Sequence, residues 1–299
     1  MLGIRDERSV RKGLPALLAT AMLWGSSFPA IKVVVGQVGG LTYVWLRGLL
    51  ALLSLSPYVA VVIKRGKISR SLALGGLLTG LTYAVALWLQ GWGMEYTTAS
   101  NAAFITGLNV VFVHVYTALV RRAYGLHLAS SLILSVLGLY ALTAPGGGLG
   151  VGEVLVLLSA VLWAAQILLV DRFGREDPIA FAFFEVAPTI AFIVPDAISG
   201  MPSISQEILL WSLYLALACS DAAFALQALG QKHLEPATSA IILLLEPVFA
   251  SLFAFLLLGE IMTPIQALGA LMIVLAMLIS CLMEGRGQGR QAQPSTPRP

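Results

Sequence analysis

Residues 13–36 read GLPALLATAMLWGSSFPAIKVVVG, an apolar run with one ionisable side chain, Lys32. About 20 such residues, rising about 1.5 Å each, cross a hydrocarbon core of about 30 Å as one helix. A β-barrel strand would be shorter and would alternate apolar with polar positions; this run does neither. Arg5, Arg8, Arg11 and Lys12 precede it in the manner of a signal peptide. The apolar stretch continues past Trp24 to Gly36 without a convincing small-residue cleavage site, so it is read as an uncleaved first span.

Nine further runs of the same kind follow, at 41–63, 71–93, 98–120, 127–143, 150–171, 178–198, 209–231, 236–258 and 264–283. Breakers separate them, among them Gly39-Gly40, Lys64 to Lys67, Arg121-Arg122, Pro145 to Gly148, Asp171 to Pro178 and Gly259 to Pro264. The whole chain of 299 residues is 58% hydrophobic and 11% charged. Soluble domains average about 45–50% and about 25%. Soluble enzymes, nucleic-acid-binding domains and disordered chains are thereby excluded as classes, and a net charge of +3 implies no nucleic-acid partner. Cys219 and Cys281 both fall in apolar runs, so no disulfide framework is expected. The expected fold is an all-α integral membrane protein of ten transmembrane helices.

The basic residues set the orientation. With the N-terminus inside, sixteen of the 18 Lys and Arg fall in inside segments, and the outside loops have none. The other two, Lys32 and Arg47, lie within spans. Losing one span would reverse every later loop and destroy this asymmetry. Ten spans with both termini cytoplasmic, in the cell (inner) membrane, is the expected topology.

The two halves match at an offset of 138–139. Ala99-Ser100-Asn101-Ala102 opens the fourth span and Ala237-Thr238-Ser239-Ala240 opens the ninth. Thr20, Trp24 and Ser27 correspond to Ser159, Trp163 and Gln166, and Arg47 corresponds to Glu185. Each half holds five spans, an odd number, so the second copy is inverted. The expected division is a cytoplasmic segment 1–12, a repeat 13–143, an extracytoplasmic linker 144–149, a repeat 150–283 and a disordered cytoplasmic tail 284–299. Inverted copies can exchange conformations, so that one central site faces each side in turn. That moves the reading from membrane protein to transporter.

Four blocks carry a family resemblance: Trp24-Gly25-Ser26-Ser27-Phe28, Arg47-Gly48, Leu245 to Ala250 with Leu258-Gly259-Glu260, and Gln266-Ala267-Leu268-Gly269-Ala270. The chain resembles, over about residues 13–283, the EamA-like permeases of the drug/metabolite transporter superfamily. The resemblance implies a ten-helix basket around a central cavity. It also implies export of small metabolites, amino acids among them. Glu185 and Asp221 match no motif of that family.

Residues three or four apart share a helix face. Trp24 with Ser27, and Trp163 with Gln166, each pair an aromatic platform with a polar group, the mixture a cavity for an amphipathic solute requires. Tyr83 and Gln90 in span three, Asn101 and Asn109 in span four, and Phe224 and Gln227 in span eight extend the set of candidate substrate contacts. The amides could equally bond between helices, for about 0.6–2 kcal/mol each. Gly25, Pro29 and Pro247 are candidate hinges, since proline removes a helical hydrogen bond and frees a carbonyl one turn back.

Charge inside the membrane is the stronger signal, because each such group costs about 2.5–3.5 kcal/mol at a helix centre on insertion scales. Lys32 is close enough to the outer end of its span to snorkel. Arg47 is too deep for that, and can bind a carboxylate or brace carbonyls. Glu185 lies at the opposite depth and is not expected to pair with it. Arg47, Glu185, Asp221 and Glu246 are the candidates for charge recognition or proton coupling, and the last two sit near the midplane. For Asp221 the partner could be a substrate amino group; for Glu246 the alternative is a cap on backbone opened by Pro247. His114 is read as a bonded core histidine. Ser131, Ser135 and Gly138 form a small-residue seam in span five, expected to serve scaffold packing or a homodimer through spans five and ten.

The expected function is a secondary transporter that exports small organic metabolites by alternating access. Amino acids are the first choice, aromatic or other large ones included. Amphipathic drugs or organic cations are the alternative. An intramembrane enzyme or a channel is the alternative of another class. The chain has no H-E-x-x-H and no Walker A, and no charged ring or filter-like loop. No cofactor and no metal are implied. The partners are a small-molecule substrate, the lipid bilayer and a coupling proton.

Overall fold

The computed structural model describes residues 7–97, 99–121, 124–143, 150–258 and 263–291. Among these the regular structure is entirely helical. The linker 144–149, Gly259-Glu260 and residues 292–299 lie outside the described residues.

Among the described residues, nine helical segments are long and apolar enough to cross a bilayer, and one of them, Val10–Lys64, has 55 residues. At about 1.5 Å per residue it reaches roughly 80 Å, more than twice a hydrocarbon core. It breaks at Gly39, whose φ of 77° and ψ of 166° are open to glycine and strained for other residues. It is therefore two crossings, and the total is ten, at the expected positions.

The first span is α1 (Glu7–Gly25) and the start of α2 (Ser27–Lys64), which after Gly39 becomes the second span. Span three is α3 (Arg70–Tyr96); span four is α4 (Ala99–Gly107) and α5 (Asn109–Tyr116), extended by a π-turn over Thr117–Arg121. Span five is α6 (Leu126–Thr143) and span six α7 (Val151–Phe173). Span seven is α8 (Pro178–Val186), a 3-10 stretch Ala187–Phe192 and α9 (Ile193–Ser199). Span eight is α10 (Gln206–Ala216), a π-turn Leu217–Ala222 and α11 (Ala223–Gln231). Span nine is α12 (Pro236–Leu243) and α13 (Glu246–Leu258), and span ten is α14 (Pro264–Gln291).

One expected end is corrected: α14 runs to Gln291, through residues expected to be disordered, while the first helix begins at Glu7, inside the segment 1–12. Adding a residue to an existing helix fixes little chain for one more hydrogen bond, so helices overrun their apolar limits.

The packing has the symmetry of the repeat. Span one packs on span eight as span six packs on span three. Span two packs on span eight as span seven packs on span three. Spans two and seven, four and nine, and five and ten meet as self-paired partners. Two glycine crossings tie this together. A Cβ on Gly13 would lie 2.7 Å from the carbonyl oxygen of Gly230, and one on Gly93 would lie 2.8 Å from that of Gly152. Gly13 with Gly230 joins spans one and eight; Gly93 with Gly152 joins their inverted counterparts.

Charge divides the two ends. Ser69 Oγ donates to Glu176 Oε1 at 2.7 Å and Lys232 Nζ to the Glu176 carbonyl at 2.6 Å. The basic loops at 64–70, 172–175 and 232 thus share one face. At the opposite end Gly40 N donates to Glu95 Oε1 (3.0 Å), and Thr42 Oγ1 and Trp45 Nε1 both donate to Asp196 Oδ2 at 2.6 and 2.7 Å. Thr97 there bonds Glu153. Lys32 does not simply reach for water: it donates to the carbonyls of Met94 and Thr97 at the end of α3, where the helix dipole favours a cation.

The small-residue seam of span five is occupied from within. Ser131 and Ser135 are fully buried, and a Cβ on Gly138 would lie 2.8 Å from the carbonyl oxygen of Gly269 and 2.9 Å from Met272 Cβ in α14. The seam joins spans five and ten of one chain, so a dimer would have to use the outward face with Ile133, Leu137 and Tyr140. Gly138→Leu is expected to lower the detergent melting temperature, by overpacking of about 1–3 kcal/mol. The ranking of substrates in a competition assay should not change.

Candidate functional site

Three helix breaks meet at the centre. The first is at Ser26, between α1 and α2, where the Ser26 hydroxyl bonds Tyr214 OH and donates to the Leu23 carbonyl (2.6 Å). Pro29 is not the break. It lies exposed in the first turn of α2, where a missing N–H costs no hydrogen bond. Gly25, the last residue of α1, lies against the start of α13. The second break is at Leu244-Leu245, and Pro247 is the second residue of α13.

The third break, at Leu108 in span four, was not expected. Its signal was present: Asn109-Val110-Val111-Phe112 repeats as Glu246-Pro247-Val248-Phe249. Asn109 and Glu246 therefore occupy equivalent places, each the first residue of a half-helix whose opening N–H groups lack helical partners.

A cavity lies where the breaks converge. Its walls include Trp24, Ser27, Arg47, Gln90, Asn109, Trp163, Gln166, Glu246 and Pro247, with Phe28, Ile31, Leu87, Ile167 and Leu243 as apolar surface. The two tryptophan rings are 6.0 Å apart and tilted by 54°. Trp24 Nε1 donates to the Cys219 carbonyl at 3.0 Å, whereas the buried Trp163 Nε1 has no protein partner.

Arg47 is held like a fork. Nε donates to Ser220 Oγ (2.7 Å), Nη1 to Tyr43 OH (2.7 Å) and Nη2 to the Cys219 carbonyl (2.8 Å). A guanidinium has five N–H donors, so two remain for the cavity. Cys219 and Ser220 belong to the π-turn of span eight, and such turns recur at functional sites.

Gln90 Nε2 donates to Thr106 Oγ1 at 3.0 Å. Among the described residues, the side chains of Asn109 and Glu246 make no hydrogen bond or ion pair, and Glu246 is not paired with Arg47. Arg47 and Glu246 thus face one partly aromatic space without bonding each other.

Other expected contacts lie behind or away from that wall. Tyr83 and Phe224 are fully buried and back the tryptophans: Tyr83 lies 5.7 Å from Trp163, Phe224 5.6 Å from Trp24, and the two lie 4.7 Å from each other. Gln227 is buried against Gln166, with reciprocal amide bonds of 2.9 and 3.1 Å. Asn101 sits at the acidic end, its Nδ2 3.4 Å from Glu153 Oε1. Asp221 does not join Glu246. It accepts from Ser54 on span two, and its Oδ1 is buried without a partner. Helix-face spacing cannot tell which face a neighbouring span covers, and these five residues fall on covered faces. Glu185 is also covered. Gln166 Nε2 donates to its Oε1 at 2.6 Å, its Oε2 has no partner, and it is not paired with Arg47. His114 is a bonded core histidine, with Nδ1 2.8 Å from the Val110 carbonyl.

Ten crossings in two inverted repeats, with broken helices meeting at a polar and aromatic cavity, define a multi-pass membrane protein of the transporter class. The description "EamA-like transporter family" matches residues 11–144 and again 150–282, and the chain belongs to that family. An "uncharacterized transporter" of Archaeoglobus fulgidus is 29% identical over 270 residues, 89% of this chain and 84% of that one. A "probable terminal-alkyne amino-acid exporter" of Streptantibioticus cattleyicolor is 24% identical over 294 residues, covering 96% and 98%. A crystal structure superposes with a TM-score of 0.72 at 16% identity, over 91% of this chain and 98% of the other, a likeness of fold.

Proposed function

We propose that this transporter is a secondary exporter of amino acids that works by alternating access. The observation that carries the reading is the unpaired placement of Arg47 and Glu246 on one cavity wall. An amino acid presents the complementary charges: its carboxylate fits the free guanidinium donors, and its ammonium fits the Glu246 carboxylate. Trp24 and Trp163 then bound the side chain, which favours large or aromatic ones. The free amide of Asn109 and the Gln90 carbonyl supply further hydrogen bonds. The name of the Streptantibioticus relative points to the same substrate class. The basic face is read as cytoplasmic, with both termini inside and the chain in the cell membrane.

The second reading, export of amphipathic organic cations, rests on the unpaired Glu246 beside an aromatic wall. The test is uptake of a radiolabelled amino-acid panel, with tryptophan and phenylalanine, into proteoliposomes with and without a pH gradient. Saturable, stereoselective uptake is expected. No uptake by folded protein, with saturable uptake of aromatic amines instead, would replace the first reading by the second.

A further inference from the structure

Three of the inverted-repeat pairs put both members on the cavity wall: Trp24 with Trp163, Ser27 with Gln166, and Asn109 with Glu246. The pair Arg47 and Glu185 does not. Arg47 lines the cavity while Glu185 is fully buried directly behind Gln166. When two inverted copies exchange conformations, each takes the place its counterpart holds now. The exchange would cover Arg47 and uncover Glu185.

We propose that Glu185 is the alternate-state counterpart of Arg47. It lines the cavity when that opens toward the basic face, takes up a proton there, and is buried as the neutral acid in the conformation described here. The charge that this pair contributes to the cavity thus changes sign between the two faces, and closure on the basic side waits for the proton. This rests on the alternating-access reading.

The surroundings of Glu185 support it. Its Oε1 accepts from Gln166, and its Oε2 is buried with no partner. Spans two, three and eight pack against α8, and α7 reaches it through Gln166. The buried titratable or charged groups on those elements are Tyr43 and Arg47, Tyr83, Asp171, Cys219 and Asp221. None of them bonds the Glu185 carboxyl. Arg47 is committed to Tyr43, Ser220 and Cys219, and Tyr83 OH to Ser220 Oγ at 3.4 Å. A carboxylate closed into such a place without a cation bears a large desolvation cost, and the proton is the partner that fits the space. In the step, Oε2 of the carboxylate forms an O–H bond with a proton from the aqueous phase, and the charge falls from −1 to 0.

The test has two arms on the reconstituted full-length chain. In the first, without substrate, infrared difference spectra across a pH titration read the C=O stretch of protonated carboxyl groups. A band is expected that Glu185→Gln removes and that Asp221→Asn and Glu246→Gln leave. In the second, amino-acid exchange is followed in oriented proteoliposomes while the pH is varied on one face at a time. Alkaline pH on the basic face should slow the wild type several-fold, and Glu185→Gln should give one rate across that range. A band that survives in Glu185→Gln, an unchanged one-sided profile, or loss of exchange at every pH would each overturn the proposal. If the wild type carries no amino acid, the substrate reading fails, and the infrared arm still decides the fate of Glu185.

Discussion

Arg47→Gln is expected to raise the KM for carboxylate-bearing substrates about ten- to a hundredfold. Hydrogen bonds to charged groups contribute about 1.5–3 kcal/mol, and about 1.4 kcal/mol is a tenfold change in affinity. The same substitution should barely move competition by the matching decarboxylated amine, which has nothing to offer the guanidinium. Glu246→Gln should do the reverse and penalise the amine most. The measurement is competition against one labelled substrate by amino acid and amine pairs. Arg47 also braces Tyr43, Ser220 and the Cys219 carbonyl, so a general loss of fold is the competing outcome. Arg47→Lys separates the two, because it keeps the charge and gives up the fork. Equal losses for amino acid and amine in both Arg47 variants would make Arg47 a structural brace alone.

Gly25→Ala is the second large effect. A Cβ there would lie 2.5 Å from the carbonyl oxygen of Glu246, 3.0 Å from the backbone nitrogen of Ala250 and 3.0 Å from Phe249 Cβ. Two of these are backbone atoms and cannot rotate away. The start of α13 must move, carrying Glu246 and Pro247 out of register with Arg47. Transport is expected to fall about tenfold or more, since small misplacements of positioning groups are costly, while overpacking should cost stability only about 1–3 kcal/mol. Gly36→Ala is the control: nothing lies within 4 Å of the position its Cβ would take. Transport rates and melting temperatures of both variants decide the matter. A Gly25→Ala chain that transports at the wild-type rate would show that the contact yields freely.

The spans were legible because crossing a bilayer needs a local property, about 20 apolar residues in a row. The basic residues then fixed their number, since one missing span would have scrambled the loops. The repeat also brought out much of the wall: Trp24, Ser27, Trp163 and Gln166 face one cavity, as their matched spacing implied. What stayed hidden depends on contacts between distant segments. Tyr83 shares a helix face with the wall residue Gln90, and Phe224 one with Gln227, but each other's rings and the tryptophans cover them. Asp221 lies one residue from Ser220, which holds Arg47, yet its own partner, Ser54, is on span two. Pro29 marked a break three residues too late, because proline in a first turn follows a break as readily as it makes one. The break at Leu108 has no proline at all.

The paired glycine crossings have a mechanical consequence. Where two backbones come this close, the contact is the point about which the helices can pivot with least separation. Gly13 against Gly230 and Gly93 against Gly152 are such contacts, one at the basic end of spans one and eight and one at the acidic end of spans three and six, with Leu17 and Val156 seated beside them. Each pair of helices is then a lever with its fulcrum at one membrane surface and its free arm at the other. Under the proposed alternating access, rocking about the two fulcrums would open one mouth as it shut the other, with the largest displacement far from the glycines.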